Sequence, residues 1–381
     1  MSARPAAPRA PARRAGPRTA AQLRLLRRHA RHASPVVRQA VAASLGAIGG
    51  AGAVAAIERL LADPSDRVRR AAVLALGSAS GSSTAELARL RSFLGDPAAR
   101  VRAASAVVLG RRRDRRSVPA LLRRLDAPGS WEKPSVAVAL GRIGGRRAVR
   151  PLRRLARRPE RWLRVCAIHA LGEIGDPAAR ATVRRALDDE AWSVRGAAAV
   201  ALGSLGTPRD TVRLLALARD AHPWPRRGAL VALGRLRRRE ALPTLRAGLA
   251  DPEADVRLAA CWALGELGDR SERGALARFL SRCPIPEPGE TGIDPPAEDA
   301  LPASGAAARL FETAVAALAR LGPVPADPRI ERALSRARRR AGAARLARPV
   351  PPPFGRFGQD EPAPTLGELF DRARYGAGTA R

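Results

Sequence analysis

Apolar residues recur at helical spacing along most of the chain, with polar residues between them. The pattern repeats in blocks of about 31 residues. Each block opens with a segment rich in alanine and valine that ends in a Leu-Gly pair. A second, more polar segment follows, with apolar residues at i, i+3 and i+6, as at Val149, Leu152 and Leu155. The pattern therefore predicts two helices per block, each with one buried face.

The Leu-Gly pairs set the period. Their glycines are separated by 31 residues in six intervals and by 33 residues in one. The pairs are Leu45-Gly46, Leu76-Gly77, Leu109-Gly110, Leu140-Gly141, Leu171-Gly172, Leu202-Gly203, Leu233-Gly234 and Leu264-Gly265. A fixed period of this size indicates a solenoid of stacked helical hairpins.

Other positions of the block have predictable structural roles. Asp63-Pro64 and Asp96-Pro97 suit the start of a helix, where Asp accepts from orphan amides and Pro is tolerated. The glycine of each Leu-Gly pair lacks a Cβ and would let two helix backbones approach closely. A second glycine soon afterwards predicts a left-handed helix end, at Gly49, Gly144, Gly175, Gly206 and Gly268. An arginine near each helix start is expected to pair with acids between repeats, at Arg38, Arg69, Arg102, Arg164, Arg195 and Arg257.

Two blocks, LRVCAIHALGEIGDPAARATVRRAL and VRLAACWALGELGDRSERGALARFL, resemble the HEAT-like repeats first described in phycobilisome lyases. The resemblance covers residues 34–282 and implies an all-α fold, a right-handed α-solenoid of about eight helical-hairpin repeats with helical caps. It implies little about function, because this repeat serves lyases, hydroxylases, relatives of DNA glycosylases and plain adaptors.

The segments outside the repeats differ in composition. Residues 1–20 contain mainly Pro, Ala and Arg and predict a disordered basic tail. The remaining predicted boundaries are 21–33 for a capping helix, 34–282 for the solenoid, 283–305 for an acidic Pro-rich linker, 306–348 for C-terminal helices that form a degenerate repeat or cap, and 349–381 for a Pro-rich tail with a short helix.

Composition narrows the class of protein. Aromatic residues make up 3% of the chain, so alanine, leucine and valine must fill the interior. The formal net charge of +34 favours an acidic protein, nucleic acid or anionic lipid as partner. Three cysteines, far apart and without a CxxC pair, imply neither disulfides nor zinc. With no apolar signal region and no stretch that could span a bilayer, we expect a cytoplasmic protein.

The residues argue against one enzymatic activity known for such repeats. Deoxyhypusine hydroxylases are also built from HEAT-like repeats, and their iron ligands come from His-Glu pairs, but this chain has no His-Glu dipeptide. His29 and His32 are expected on a solvated helix face, and His169 as a packed or partly buried residue. We predict no cofactor, no metal site and no catalytic residue. A lyase-like or DNA-glycosylase-like HEAT-repeat enzyme stays an open alternative.

Arginines of the second helices form two columns. We expect these arginines to line a concave groove and to have too few acids nearby to form ion pairs. They are Arg123, Arg124, Arg153, Arg154, Arg184, Arg185 and Arg246. Such a basic groove would bind phosphates or acidic peptides. The leading hypothesis is a non-enzymatic scaffold or adaptor that holds an acidic protein partner in this groove. A sequence-independent nucleic-acid-binding protein is the alternative.

Tryptophans form a second regular set. Each lies 10 or 11 residues before the glycine of its Leu-Gly pair, at Trp131, Trp162, Trp192 and Trp224. The set could be an aromatic ladder that stacks bases or grips a partner helix. The alternative interpretation is structural, with each indole packed against the preceding repeat.

Overall fold

The computed structural model describes residues 17–79, 83–282, 303–321 and 335. Its described residues form helices and turns, with no strand among them. The chain divides into two compact units, Met1–Leu155 and Ala156–Arg381. Residues 1–16 of the predicted N-terminal tail, the C-terminal tail, the acidic linker up to residue 302 and, apart from residue 335, the second C-terminal helix lie outside the described residues.

Unit 1 contains nine described helices. They are α1 Pro17–His29, α2 Pro35–Ile48, α3 Ala51–Leu60, α4 Asp66–Ala79, α5 Thr84–Ser92, α6 Ala99–Arg111, α7 Val118–Asp126, α8 Lys133–Ile143 and α9 Val149–Leu155. The first helices of the repeats (α2, α4, α6 and α8) pack one on the next, and each is followed by a second helix. Helix α1 begins four residues before the predicted cap and packs on α2 and α3.

Unit 2 has the same organisation. Its described helices are α10 Arg161–Ile174, α11 Arg180–Arg185, α12 Trp192–Leu205, α13 Thr211–Leu217, α14 Pro223–Leu236, α15 Leu242–Gly248, α16 Ala254–Leu267, α17 Arg273–Arg282 and α18 Ala303–Leu321. First helices α10, α12, α14 and α16 stack in order, and α18 packs on α16 and α17. Helix α18 thus occupies the place of a ninth first helix. Both units are stacks of helical hairpins, the fold predicted from the 31-residue period.

The Leu-Gly pairs explain how the first helices stack. Leu45, Leu140 and Leu233 have no exposed surface and form part of the core between helices. A Cβ added to Gly234 would lie 2.6 Å from Cα of Ala263 on the next first helix, closer than real Cβ atoms approach. The predicted role of these glycines in close backbone approach is confirmed at Gly46, Gly110, Gly172, Gly234 and Gly265, where a Cβ would lie under 3 Å from a neighbouring Cα.

An arginine near the start of seven first helices joins neighbouring repeats, as predicted for all of them but Arg226, whereas α8 has Lys133 at this position. The arginine Nη1 donates to two backbone carbonyls of the preceding loop, and in most repeats its Nε or Nη2 donates to a carboxylate of the next loop. The pairs are Arg38–Asp63, Arg69–Asp96, Arg102–Glu132, Arg164–Asp189, Arg195–Asp220 and Arg226–Asp251. Arg257 makes the two carbonyl contacts, to Asp251 and Pro252.

The predicted left-handed helix ends are correct at two of five glycines, Gly175 and Gly268, whose φ values are 72° and 76° and whose ψ values are 12° and 15°. Gly49 and Gly144 also have a positive φ, but their ψ values of −173° and 178° are extended, so the helix does not end in a left-handed turn there. The prediction is wrong for Gly206, whose φ is −65° and ψ 165°. The next residue, Thr207, begins a capping box with Asp210, and this turn continues from an extended backbone.

Candidate binding surfaces

The predicted arginine columns are mostly engaged in ion pairs. In unit 1, Nε of Arg124 lies 2.9 Å from Oε1 of Glu132, and Nη2 of Arg154 lies 2.9 Å from Oδ1 of Asp126. In unit 2, Arg184 pairs with Asp210 at 2.6 Å, and Arg246 pairs with Glu272. The expectation that the columns lack acidic partners is therefore wrong for these four arginines.

The other three arginines of the predicted columns differ in their exposure. Arg123 and Arg185 are exposed and make no ion pair with a described carboxylate, whereas Arg153 is half-buried. Each pair described above spans neighbouring structural elements and contributes to the stacking of the hairpins. The columns are therefore partly structural.

A denser set of arginines lies at two successive turns of unit 1, between α6 and α7 and between α8 and α9, and at the ends of α6 and α8 that lead into them. We call it the arginine edge. Its members are exposed and form no ion pair with any carboxylate in the described part of the chain. The arginine edge consists of Arg111, Arg113, Arg115, Arg116, Arg142 and Arg147. The one acid in these turns, Asp114, is buried and paired with Arg91 at 2.9 Å.

The backbone at Arg113 is unusual. Arg113 has a φ of 50° at the position where the corresponding turns have Gly144, Gly175 and Gly268. A side chain at positive φ costs free energy relative to glycine. Only one other described non-glycine residue, Arg237, has a positive φ, and it occupies the same position of another repeat. The sequence signal for this surface was the run of arginines at 111–116, interrupted by Asp114 alone.

The four tryptophans of the predicted ladder lie at or just before the starts of their first helices, and all are exposed. The exposed fractions are 68% for Trp131, 47% for Trp162, 41% for Trp192 and 44% for Trp224. Two of them also pack on neighbouring repeats. The Trp192 indole stacks on the His222 ring at 3.8 Å, and a Cβ added to Gly196 would lie 1.8 Å from Cδ1 of Trp224.

Three first helices of unit 2 surround a cavity of about 530 Å³. It is lined by residues of α10, α12 and α14, namely Val165, His169, Trp192, Ser193, Ala197, Val200, Trp224, Arg227, Gly228, Val231 and Arg235. Most of this lining is apolar. Of the predicted site residues, only Trp192 and Trp224 contribute to it, and sequence reasoning missed the two arginines.

Both arginines of the cavity lie against indoles. The guanidinium carbon of Arg227 is 4.9 Å from the ring centroid of Trp224, and that of Arg235 is 5.9 Å from the ring centroid of Trp262. Burial lowers the pKa of the Arg227 guanidinium, although nearby Asp255 opposes this effect. Contact with an indole face stabilises a cation in such a partly desolvated position.

The histidine predicted as a packed or partly buried residue, His169, is half-exposed, with Nδ1 3.9 Å from Oε2 of Glu173. In the described ranges, no three His, Cys, Asp or Glu side chains come close enough together to hold a metal ion. None of the described helices is both long and apolar enough to cross a bilayer.

The stacked hairpins and their Arg–Asp pairs define an α-solenoid repeat protein, and comparison with known families agrees. The model of HEAT repeats matches residues 6–77, 23–104, 55–133, 87–165, 155–232 and 211–286. These matches cover well over half of the chain, which therefore belongs to the HEAT repeat family. The comparison with curated protein sequences gives no match.

Several solved structures are similar. Yeast importin-β (Kap95p) has a TM-score of 0.54 at 14% identity, over 80% of this chain and 48% of the importin. The complex of CpcE and CpcF of phycocyanin lyase from Nostoc sp. PCC7120 has a TM-score of 0.36 at 23% identity, over 70% and 92%. Human deoxyhypusine hydroxylase has a TM-score of 0.30 at 22% identity, over 65% and 96%. This chain spans about half the length of the importin, and at such identity the likeness shows the fold alone.

Proposed function

We propose that this HEAT repeat protein is a non-enzymatic scaffold that binds an acidic protein partner through exposed arginines. The observation that carries the proposal is the arginine edge, six exposed arginines at two successive turns and the helix ends before them, with no described carboxylate in an ion pair with them. Arg123 and Arg185 of the predicted columns remain part of the proposal for the same reason. The ion-paired column arginines have less charge to offer a partner, because a carboxylate already lies within 4 Å.

The positive φ of Arg113 gives further support. A glycine would relieve the backbone cost at this turn, as in neighbouring repeats, yet an arginine is present. Strained residues often mark functional positions. A guanidinium offers five donors in a fork that matches a carboxylate, so a cluster of them suits an acidic protein surface.

A sequence-independent nucleic-acid binder is the second candidate. The same arginines could contact phosphates, whose recognition requires positive charge rather than a shaped pocket. The cytoplasm stays the predicted compartment, and three scattered cysteines without a disulfide framework are typical of a reducing interior.

Binding of two probes, measured over a series of salt concentrations, distinguishes the two candidate functions. Binding of poly-glutamate and of a short DNA duplex would be measured for the full chain and for the double variant Arg115→Glu, Arg116→Glu. The control is Arg209→Glu, Arg219→Glu, which changes two exposed unit 2 arginines and alters the net charge equally. We expect the first variant to lose about tenfold in poly-glutamate affinity and the control to lose much less, with binding that weakens as salt rises.

Other outcomes would contradict the proposal. Equal losses in both variants would indicate a nonspecific cationic surface rather than a site. Tight binding of the duplex alone, with a steep salt dependence and loss in the first variant only, would favour the nucleic-acid candidate.

A further inference from the structure

The cavity of unit 2 is an open groove between first helices. Its floor is α12, which contributes the small residues Ser193 and Ala197 and, further along, Val200. Helix α14 forms one wall from Trp224 to Arg235. Because a helix rises 1.5 Å per residue, this wall is about 16 Å long, or roughly three helical turns.

The lining combines an apolar floor with positive charge on one side. Valine and alanine side chains and two indoles provide most of the surface, and Arg227 and Arg235 lie on the α14 wall. No carboxylate is among the residues that line the groove. Tryptophan and arginine are the residues most enriched at the energetic centres of protein interfaces.

We propose that this groove binds an amphipathic helix of a protein partner. Apolar side chains on one face of that helix would enter the groove between Trp192 and Trp224, and acidic side chains would lie along the edge that faces α14. The length and charge of the groove carry this inference, since amphipathic helices present apolar anchors at i, i+3 or i+4, and i+7. The groove shares no residue with the arginine edge, so the inference does not depend on the proposed function.

The arrangement of the indoles argues against base stacking at this site. His222 covers one face of Trp192 at 3.8 Å, with the two rings 7° from parallel. Arg227 lies over the ring of Trp224. With one face of each indole already covered, neither ring can stack a base on both faces, and less aromatic surface is left for a base than two uncovered indoles would offer. The remaining indole surface suits apolar side chains.

A synthetic peptide provides a direct test. The probe is a helical peptide of about 14 residues, with leucines at i, i+3 or i+4, and i+7, and glutamates along one edge of that face. Binding to the full chain would be measured by calorimetry and by tryptophan fluorescence. Val200→Glu places a negative charge on the groove floor, and we expect it to weaken binding by about tenfold or more. Val212→Glu is the matched control, because Val212 is 75% exposed on the second helix α13.

A second groove variant and two altered peptides complete the test. Ser193→Glu should act like Val200→Glu, and circular dichroism would verify that each variant is folded. Peptides with leucine replaced by alanine, or glutamate by lysine, should each bind more weakly. Absence of binding at about 1 mM peptide, or equal weakening by Val200→Glu and Val212→Glu, would overturn the inference. The Arg115→Glu, Arg116→Glu variant should still bind the peptide, which separates this outcome from failure of the proposed function.

Discussion

Nε of Arg102 donates a hydrogen bond of 2.7 Å to Oε1 of Glu132, 30 residues further along the chain. The Glu132 side chain has no exposed surface, and that of Arg102 is 15% exposed. Arg124 donates to the same carboxylate from α7. Nη1 of Arg102 also donates to the carbonyls of Asp96 and Pro97. One buried charge therefore connects two consecutive repeats of unit 1.

Arg102→Ala should strongly destabilise unit 1. The substitution removes one of the two cations that compensate a fully buried carboxylate, and breaking such a pair costs about 3 kcal/mol or more. The expected result is a lower midpoint of thermal unfolding by circular dichroism. Arg154→Ala is the control, since the Arg154–Asp126 pair has side chains 61% and 59% exposed. An exposed pair contributes roughly 0–1 kcal/mol, so similar effects of both substitutions would contradict this ranking.

The free energy of unfolding should fall at acidic pH, because Glu132 becomes protonated there. Burial alone would raise the pKa of this carboxyl, but hydrogen bonds from Arg102 and Arg124 outweigh it and lower the pKa from 4.5 to about 2. A pKa lower in the folded than in the unfolded state stabilises the fold above about pH 4.5 and loses that effect as the pH falls towards 2. The lowering of this pKa corresponds to about 3 kcal/mol in the free energy of unfolding.

The comparison with Glu132→Gln isolates this effect. At pH 6 the variant should unfold at a clearly lower urea concentration than the natural chain. The difference between the two should narrow as the pH falls from 4.5 to 2, because the natural residue becomes protonated. Other carboxyls with lowered pKa values, such as Asp63 and Asp251, titrate in both proteins and cancel. A constant difference across this range would show that the charge of Glu132 is not the cause.

Gly234→Ala should destabilise unit 2 by about 2 kcal/mol, although alanine normally favours a helix over glycine by up to about 1 kcal/mol. The reason is the close approach of α14 and α16, where the new Cβ would lie 2.6 Å from backbone Cα of Ala263. Gly274→Ala on α17 is the control, because its Cβ would meet only the flexible end of Arg278, at 3.6 Å. Thermal unfolding of both variants should show a loss for the first and none for the second. A neutral Gly234→Ala would mean that the helices can separate at little cost.

The repeat fold was predictable because its determinants are periodic in the sequence. Each Leu-Gly pair places one buried leucine, and most pairs place one close helix contact, so the pairs locate the first helices. Five of the six arginines expected to pair with acids between repeats do so, since one repeat length brings such positions side by side, and the sixth, Arg257, contacts backbone carbonyls. Gly206 shows where local pattern fails: the capping box of Thr207 and Asp210 sets its backbone, and that interaction was not anticipated.

The charged surface was harder to predict. The acids that neutralise Arg184 and Arg246 lie 26 residues further along the chain, almost one repeat away. The sequence of one helix and its flanking residues does not contain these acids. They become neighbours of the arginines only when the repeats stack. The groove of unit 2 was missed for a related reason. It arises from small residues on α12 between larger ones on two other helices, a difference in size that appears only once three repeats are packed.

Arg113→Gly should stabilise the fold and weaken binding at the same time. Arg113 has a φ of 50°, and glycine adopts this conformation without the clash of a Cβ, a gain of about 1 kcal/mol. The substitution also removes one of the six charges of the arginine edge, so affinity for poly-glutamate should decrease at low salt. Thermal unfolding and a binding titration on the same preparation check both effects. Arg237→Gly is the matched control, because it relieves a φ of 49° in unit 2 and leaves the arginine edge intact. It should raise the unfolding midpoint without the loss of affinity at that edge. If Arg113→Gly binds poly-glutamate as well as the natural chain does, this arginine is not part of the partner surface, and its backbone strain needs another cause.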